Sequence, residues 1–276
     1  TSLPTITVDT GDAHTVHDLQ GRDITNEVTD PHPAATTLMQ WLNGEVIVTA
    51  VGMPGSGVIH TFSVGHGVNP HEVLWSQGYV IRDYLSAELV DDDICVTVHI
   101  SKRHRHTKIP FVRRGVPDLT TDRHAGETVH PYQRVSACAV VRSGRGMLGT
   151  ECSEETSVPG LWTLPGGGIE PGESPAQAVL REVMEESAQH VRLNRILELQ
   201  SDHWIGRAPS GKLEDFHALR IIYSATAPDP TDPIVLDVGG TTRLARWVPL
   251  PQWRRLSWGS ATRSCLERHL GDVPSQ

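Results

Sequence analysis

Apolar residues follow two patterns along this chain, one typical of strands and one typical of helices. Short runs rich in β-branched residues are typical of strands, and they occur at 45–53, 58–64, 94–100, 135–141, 216–225 and 244–248. An apolar stripe with helical spacing predicts a helix over 175–189, and we place the last helix within 251–269. The pattern in 72–89 decides for neither a strand nor a helix.

The composition changes near residue 130, which divides the chain into segments. Residues 1–35 are polar and rich in turn formers, which predicts an irregular arm. Residues 36–130 predict a small β-rich domain, and its role is open between dimerisation, substrate restriction and a lid. The Lys/Arg/His-rich part of 101–133 is either a solvated linker or a contact for an anionic ligand. Residues 134–276 show a more orderly pattern of predicted strands and helices, and a degenerate duplication of this half in the first half stays open.

Overall composition narrows the class of protein. The 276 residues are 38% hydrophobic and 21% charged, which suits a packed core. A net charge of −9 argues against a general nucleic-acid binder. No apolar run approaches the ~20 residues of a membrane helix, and no signal peptide is visible. Because the four cysteines form no C-x-x-C pair, we expect buried or idle thiols in a cytoplasmic protein.

The stretch 167–189 begins with strong helix-start signals. Ser174 is a good N-cap residue, Pro175 suits the first helical position, and Gln177 completes a capping-box spacing. The small and apolar residues that follow at helical spacing predict a face that packs on a sheet. They are Ala176, Val179, Leu180, Val183 and Ser187.

The opposite face of this helix carries the candidate chemistry. Glu182, Glu185 and Glu186 are spaced i, i+3, i+4 and share one face. Like charges at this spacing destabilise a helix, and its second half disfavours anions. The arrangement makes sense if a divalent cation binds there, and oxygen ligands point to Mg²⁺, with Mn²⁺ as a substitute. The glycines at 166–168 permit close backbone approach to a metal or a phosphate.

These residues resemble the Nudix box, G-x5-E-x7-R-E-U-x-E-E-x-G-U, where U is a bulky apolar residue. The positions that match in register are Gly167, Glu173, Arg181, Glu182, Val183, Glu185 and Glu186. Ala188 replaces the family's glycine, which costs about 1 kcal/mol or lets the helix run on, and Gln189 replaces an apolar residue. The match covers 23 residues. The family's fold implies an α/β/α sandwich with a mixed sheet for 134–276.

The resemblance also implies a reaction and roles. It implies Mg²⁺-dependent hydrolysis of a diphosphate linked to another moiety. Glu182, Glu185, Glu186 and the Gly166 carbonyl would hold the metals, and Glu182 sometimes serves as general base instead. Glu173 and Arg181 would pair to fix the loop against the helix. Gly167 and Gly168 would lie against the substrate.

The family often adds a glutamate before the last strand, and this sequence departs from that pattern. Residues 237–242 contain no glutamate. Asp237, Glu214 and Asp215 are the alternatives; otherwise Glu182 acts as base alone.

Residues in and beside a predicted loop within 201–217 are further candidates for substrate binding. Trp204 and Phe216 flank that loop and could stack a nucleobase, although Trp204 has the alternative of packing on the sheet. Arg207 is expected either to contact phosphate or ribose or to be exposed. His217 is interpreted as a buried or cleft histidine. His104 and His106 lack further ligands for zinc and are interpreted as surface residues.

Together these features predict a Mg²⁺-dependent hydrolase that cleaves a nucleoside diphosphate derivative. An ADP-sugar or dinucleotide-like substrate is slightly preferred, because the extra domain could cover a two-ended ligand. The alternatives are a sanitising nucleoside triphosphate pyrophosphohydrolase and a ligand-sensing protein without catalysis. The expected partner is a small-molecule nucleotide, with no membrane or nucleic acid, and a homodimer is an open option.

Overall fold

The computed structural model describes residues 45–105, 107, 126–208 and 210–270. The predicted arm and most of the basic segment before residue 126, with His106, lie outside these ranges. The helices are α1 Pro70–Ser76, α2 Pro175–Ser187 and α3 Ser260–Leu270, with a 3-10 helix at Leu250–Arg255. The strands are β1 Val46–Val51, β2 Val58–Ser63, β3 Tyr79–Val90, β4 Asp93–Lys102, β5 His130–Ser143, β6 Gly146–Cys152, β7 Trp162–Thr163, β8 Gly166–Gly168, β9 Arg192–Arg207, β10 Leu213–Thr226 and β11 Thr242–Val248.

The first sheet has four strands in the order β2-β1-β4-β3. Its central strands β1 and β4 run parallel, and the outer pairs are antiparallel. The undecided stretch 72–89 contains both kinds of structure, most of α1 and most of β3. Asn69 caps α1 by accepting a hydrogen bond from the His71 N–H, and the chain turns into β3 at Gly78, whose φ is 87°.

The second sheet has the order β11-β6-β5-β10-β9, with β7 paired to β6 and β8 paired to β5. The β5–β10 pair is parallel and the other pairs are antiparallel, so the sheet is mixed. Alternate residues of β5 face opposite sides. Ala137 and Ala139 join the cluster that contains α2, whereas Val140 joins the cluster that contains α3. Helices on both faces confirm the predicted α/β/α sandwich.

Both sheets repeat one connectivity. In the first, a hairpin is followed by α1 and a second hairpin, and the central parallel pair is β1–β4. In the second, β5 and β6 are followed by α2 and then by β9 and β10, and the central parallel pair is β5–β10. The helix of the first unit lacks the row of carboxylates that α2 carries, because Glu72 is the only acidic residue of α1.

Two predictions about secondary structure are wrong. The predicted loop within 201–217 is a long hairpin, because β9 extends to Arg207 and β10 begins at Leu213. The predicted last helix is two elements. Residues 256–259 separate them, because Ser257 and Gly259 hydrogen-bond to the backbone of Trp162 instead of continuing a helix. No helix among the described residues is long and apolar enough to cross a membrane.

Candidate active site

Helix α2 has defined ends. The Ser174 hydroxyl accepts from the Gln177 N–H, and the Gln177 side chain accepts from the Ser174 N–H. Ala188 adopts a left-handed conformation, φ 52°, and its N–H donates to Met184 O at 2.8 Å. The helix therefore stops at Ser187 although the family's glycine is absent.

The buried face of α2 is rotated slightly from the predicted stripe. Val179 and Val183 are buried as expected, but Ala178 and Glu186 are buried as well, and Leu180 is 42% exposed. The prediction that Leu180 packs on the sheet is therefore wrong. The rotation turns Glu186 toward the glycine loop.

Arg181 connects the loop before α2 to the carboxylates on the helix. Its Nε and Nη2 donate to the two oxygens of Glu173, at 2.9 and 3.0 Å, and Nη2 also donates to Gly168 O. Its Nη1 donates to Glu182 Oε1 at 3.0 Å and to Glu185 Oε2 at 3.1 Å. One guanidinium thus fixes the loop and neutralises part of the acidic face.

Glu186 is held by different partners. One of its oxygens accepts from the Gly166 N–H at 2.9 Å, and the other accepts from the Thr242 hydroxyl. Burial raises the pKa of Glu186 to about 7, although these hydrogen bonds act in the opposite direction. Burial also raises the pKa of Glu182, against the effect of Arg181. The sequence does not identify Thr242 as a partner of Glu186, because a hydroxyl that donates from a strand 56 residues away leaves no local pattern.

Two glycines let the loop approach the carboxylates. A Cβ atom on Gly167 would collide with the Glu182 carboxylate. Gly166 has a φ of 145°, and a Cβ there would collide with Ala137 O and with Cys138. The loop therefore requires glycine at position 166, whereas a Cβ atom on Gly167 would displace the Glu182 carboxylate.

The donor set fits a hard divalent cation. Glu182, Glu185 and Glu186 supply only carboxylate oxygens, which Mg²⁺ and Mn²⁺ prefer. In the structure two of these carboxylates accept from Arg181, and the third accepts from Gly166 and Thr242. A cation bound among them would replace Nη1 of Arg181 as the positive neighbour of Glu182 and Glu185.

A cavity of about 370 Å³ opens on the sheet face that carries α3. The predicted substrate residues Trp204, Arg207, Glu214 and Phe216 all line it. The rings of Trp204 and Phe216 lie 4.6 Å apart with a tilt of 39°, so Trp204 packs on its neighbour and also faces the cavity. Arg207 donates to both oxygens of Glu127, at 2.7 and 3.0 Å.

Two arginines that line the cavity were not predicted. Arg220 Nη1 donates to Asp202 Oδ2 at 2.8 Å. The guanidinium of Arg134 lies over Gly168, and its positive charge acts to lower the pKa of Glu182. Arg134 therefore connects the cavity to the carboxylates. Arg134 alternates along β5 with the buried Val135 and Ala137, and this alternation predicts that its side chain lies on the opposite face of the sheet.

The three alternatives for a downstream acid lie in different places. Asp237 belongs to a loop whose backbone N–H groups donate to Glu185 O, and its charge acts on Glu186. Glu214 lines the cavity. Asp215 instead pairs with His203 at 2.6 Å on the opposite sheet face. Geometry favours Asp237 as a neighbour of the metal-ligand candidates.

The remaining residues singled out in the sequence have ordinary surroundings. His104 is exposed, and His217 is fully buried with Nε2 2.8 Å from the Ser201 hydroxyl. All four cysteines are free. Burial raises the pKa of each thiol, to about 12 for Cys138, so they stay protonated and unreactive at neutral pH.

Comparisons with known proteins identify the family. The model of the NUDIX domain matches residues 132–268, and this part of the chain belongs to that family. A curated relative is "Putative ADP-ribose pyrophosphatase YjhB" of Bacillus subtilis (strain 168), 30% identical over 113 residues, 41% of this chain and 50% of that protein. Another is nucleoside triphosphatase NudI of Escherichia coli O1:K1 / APEC, 28% identical over 98 residues, 34% of this chain and 70% of that protein.

Solved structures align over a similar share of the chain. The MutT protein from Methanosarcina mazei Go1 has a TM-score of 0.40 and 23% identity, and the alignment covers 50% of this chain and 93% of that one. The chain spans about half the length of YjhB.

Proposed function

We propose that this protein is a Mg²⁺-dependent hydrolase that cleaves the diphosphate linkage of a nucleoside diphosphate derivative. The observation that carries the proposal is one cavity that combines an aromatic pair with two arginines, one of which, Arg134, also lies over Gly168 in the loop before the carboxylate-bearing helix. Trp204 and Phe216 offer a stacking surface for a base, worth about 1–3 kcal/mol. Arg134 and Arg220 line the same cavity and suit the phosphates.

Each part of the site has a role in this reaction. Mg²⁺, bound by Glu182, Glu185 and Glu186 with the Gly166 carbonyl, would neutralise the diphosphate and acidify a water molecule. Where Glu182 serves as general base instead of metal ligand, it accepts the proton of the attacking water, and the raised pKa of this buried carboxyl favours proton uptake. The water oxygen forms a bond to one phosphorus atom, and the bond between that phosphorus and the bridging oxygen breaks. The products are a nucleoside monophosphate and a phosphorylated partner.

Two substrate classes have support. An ADP-sugar or dinucleotide-like compound agrees with the name of YjhB, which refers to ADP-ribose. A nucleoside triphosphate agrees with the name of NudI. The complete set of carboxylates weighs against a sensing protein without catalysis. Homodimer formation and a cytoplasmic location stay predictions.

The test is a substrate panel with the full chain. ADP-ribose, a dinucleotide and nucleoside triphosphates are incubated with Mg²⁺, and monophosphate, pyrophosphate and phosphate are quantified. We expect monophosphate from ADP-ribose, loss of activity on chelation, and recovery with Mg²⁺ or Mn²⁺. Pyrophosphate release from triphosphates alone would favour the second class.

Two substitutions, one on α2 and a control on α1, test whether the activity depends on the carboxylates of α2. Glu186→Gln removes a proposed metal ligand and should lower kcat/KM at least ~100-fold. Glu72→Gln changes an exposed carboxylate of α1 and should leave kcat/KM unchanged. Equal activity of Glu186→Gln and the native protein on every substrate that is cleaved would remove the proposed site.

A further inference from the structure

A second group of metal-binding side chains lies away from the cavity. Ligand atoms of His66, His203 and Asp215 all lie within 4.8 Å of one another. Nε2 of His203 is 2.6 Å from Oδ1 of Asp215, and Nε2 of His66 is 3.2 Å from Oδ2 of the same carboxylate. Atoms bound at about 2.1 Å to one tetrahedral ion lie about 3.4 Å apart. Small side-chain rotations would therefore bring all three groups to one ion.

The backbone brings these residues together from distant parts of the chain. His203 on β9 and Asp215 on β10 face the same side of the hairpin, opposite Trp204 and Phe216. His66 belongs to the turn between β2 and α1. That turn is held against the hairpin, because the Gly67 N–H donates to Nδ1 of the buried His217 at 3.1 Å. The site is thus located where the first sheet's turn meets the second sheet.

His66 gives independent support for a ligand. Both of its ring nitrogens are buried and have no hydrogen-bond partner among the described residues. The 3.2 Å approach of Nε2 to Asp215 lacks hydrogen-bond geometry. A buried polar atom without a partner is destabilising. A cation coordinated by one nitrogen of His66 would remove that penalty.

The other cluster of this kind in the described chain has a different explanation. Glu198, Cys265 and His269 are also close together, but Arg268 donates to both oxygens of Glu198 at 2.8 and 2.6 Å. A guanidinium already satisfies that carboxylate. Asp215, in contrast, has only imidazoles as ion-pair partners among the described residues.

We propose that His66, His203 and Asp215 bind a Zn²⁺ ion. Imidazole nitrogen and carboxylate oxygen are zinc ligands, whereas Mg²⁺ prefers oxygen alone. His203 is 42% exposed on its side chain, which leaves a side of the ion open to water as a fourth ligand. The ion would join the turn at 65–67 to the β9–β10 hairpin, whose other face forms the wall of the cavity.

The test uses the chain of 276 residues, untagged and stripped of metal, with excess Mg²⁺ to occupy the carboxylates of α2. Zn²⁺ is titrated in competition with a chromophoric chelator, and Co²⁺ is titrated separately for its visible spectrum. We expect one tight Zn²⁺ per chain, intense absorption of four-coordinate Co²⁺, and a rise in melting temperature of about 5 °C with Zn²⁺.

Single substitutions decide whether these residues are the ligands. His203→Ala and Asp215→Asn should each weaken Zn²⁺ binding at least ~100-fold and abolish the zinc-dependent rise in melting temperature. His104→Ala changes an exposed histidine elsewhere and should bind Zn²⁺ like the native protein. Because His203 is on the surface, its removal should leave the metal-free melting temperature unchanged even if His66→Ala fails to fold. Native-like Zn²⁺ affinity in both His203→Ala and Asp215→Asn would overturn the proposal.

Discussion

At the scale of single residues, the arrangement around Arg181 explains how two of the three glutamates on one helix face are tolerated next to each other. Its guanidinium contacts Glu173, Glu182 and Glu185 at 2.9–3.1 Å. These contacts hold the pKa of Arg181 above its ordinary value. A planar group with several fixed donors can serve these carboxylates together, whereas an ammonium cannot reproduce that geometry.

Arg181→Lys should therefore destabilise the protein by about 1–2 kcal/mol, because the two-point contact with Glu173 and the bond to Gly168 O are lost. Urea unfolding followed by circular dichroism measures the change. Glu173→Gln should cost a similar amount, and the double variant should cost less than the sum. Additive losses would show that the two side chains act separately.

At the scale of elements, most of the candidate site could be predicted from the sequence, because the patterns that indicate it are local. The cap at Ser174, the acidic spacing and the glycine loop lie within about 20 residues, and α2 begins at the predicted position. Strand β9 was missed because its polar residues interrupt the apolar pattern. Glu198 is buried there only because Arg268 and His269 of α3 compensate its charge. Such compensation is tertiary, and periodicity cannot reveal it.

The contact between β9 and α3 makes stability depend on pH. Burial alone would raise the pKa of Glu198, but hydrogen bonds from His269 and Arg268 outweigh it and lower the pKa to about 2. A carboxyl whose pKa is lower in the folded state stabilises the fold above its ordinary pKa of 4.5. That contribution is lost as the pH falls from about 4.5 to about 2.

Glu198→Gln should lower the free energy of unfolding by about 1–2 kcal/mol at pH 7, with allowance for the half-exposed Arg268. The difference from the native protein should shrink as the pH approaches 2. Urea unfolding between pH 2.5 and 7 measures it. Glu267→Gln, which affects an exposed pair with Arg254, should change stability by less than about 0.5 kcal/mol at any pH. A pH-independent loss in Glu198→Gln would contradict the assignment.

At the scale of the whole molecule, the two sheets share one hydrophobic cluster. Val48 and Val98 of the first sheet and Val135 and Ile221 of the second belong to the same set of buried side chains. The sequence predicted a β-rich part before residue 130, but its contact with the second sheet could not be read from local patterns. Apolar alternation shows which face of a strand is buried and leaves open what covers it.

A shared core predicts that both sheets unfold together. Leu74 of α1 is fully buried in the cluster, so Leu74→Ala should lower the free energy of unfolding by about 2–4 kcal/mol. Because the cluster is continuous, the loss should shift one transition. Circular dichroism, tryptophan fluorescence and hydrolase activity should then agree on one urea midpoint for the native protein and on one lower midpoint for the variant. Met53→Ala, at an exposed position in the first sheet's β1–β2 turn, serves as control and should leave that midpoint in place. If Leu74→Ala lost signal in two steps, with activity surviving the first, the sheet at 46–102 would be a separate folding unit.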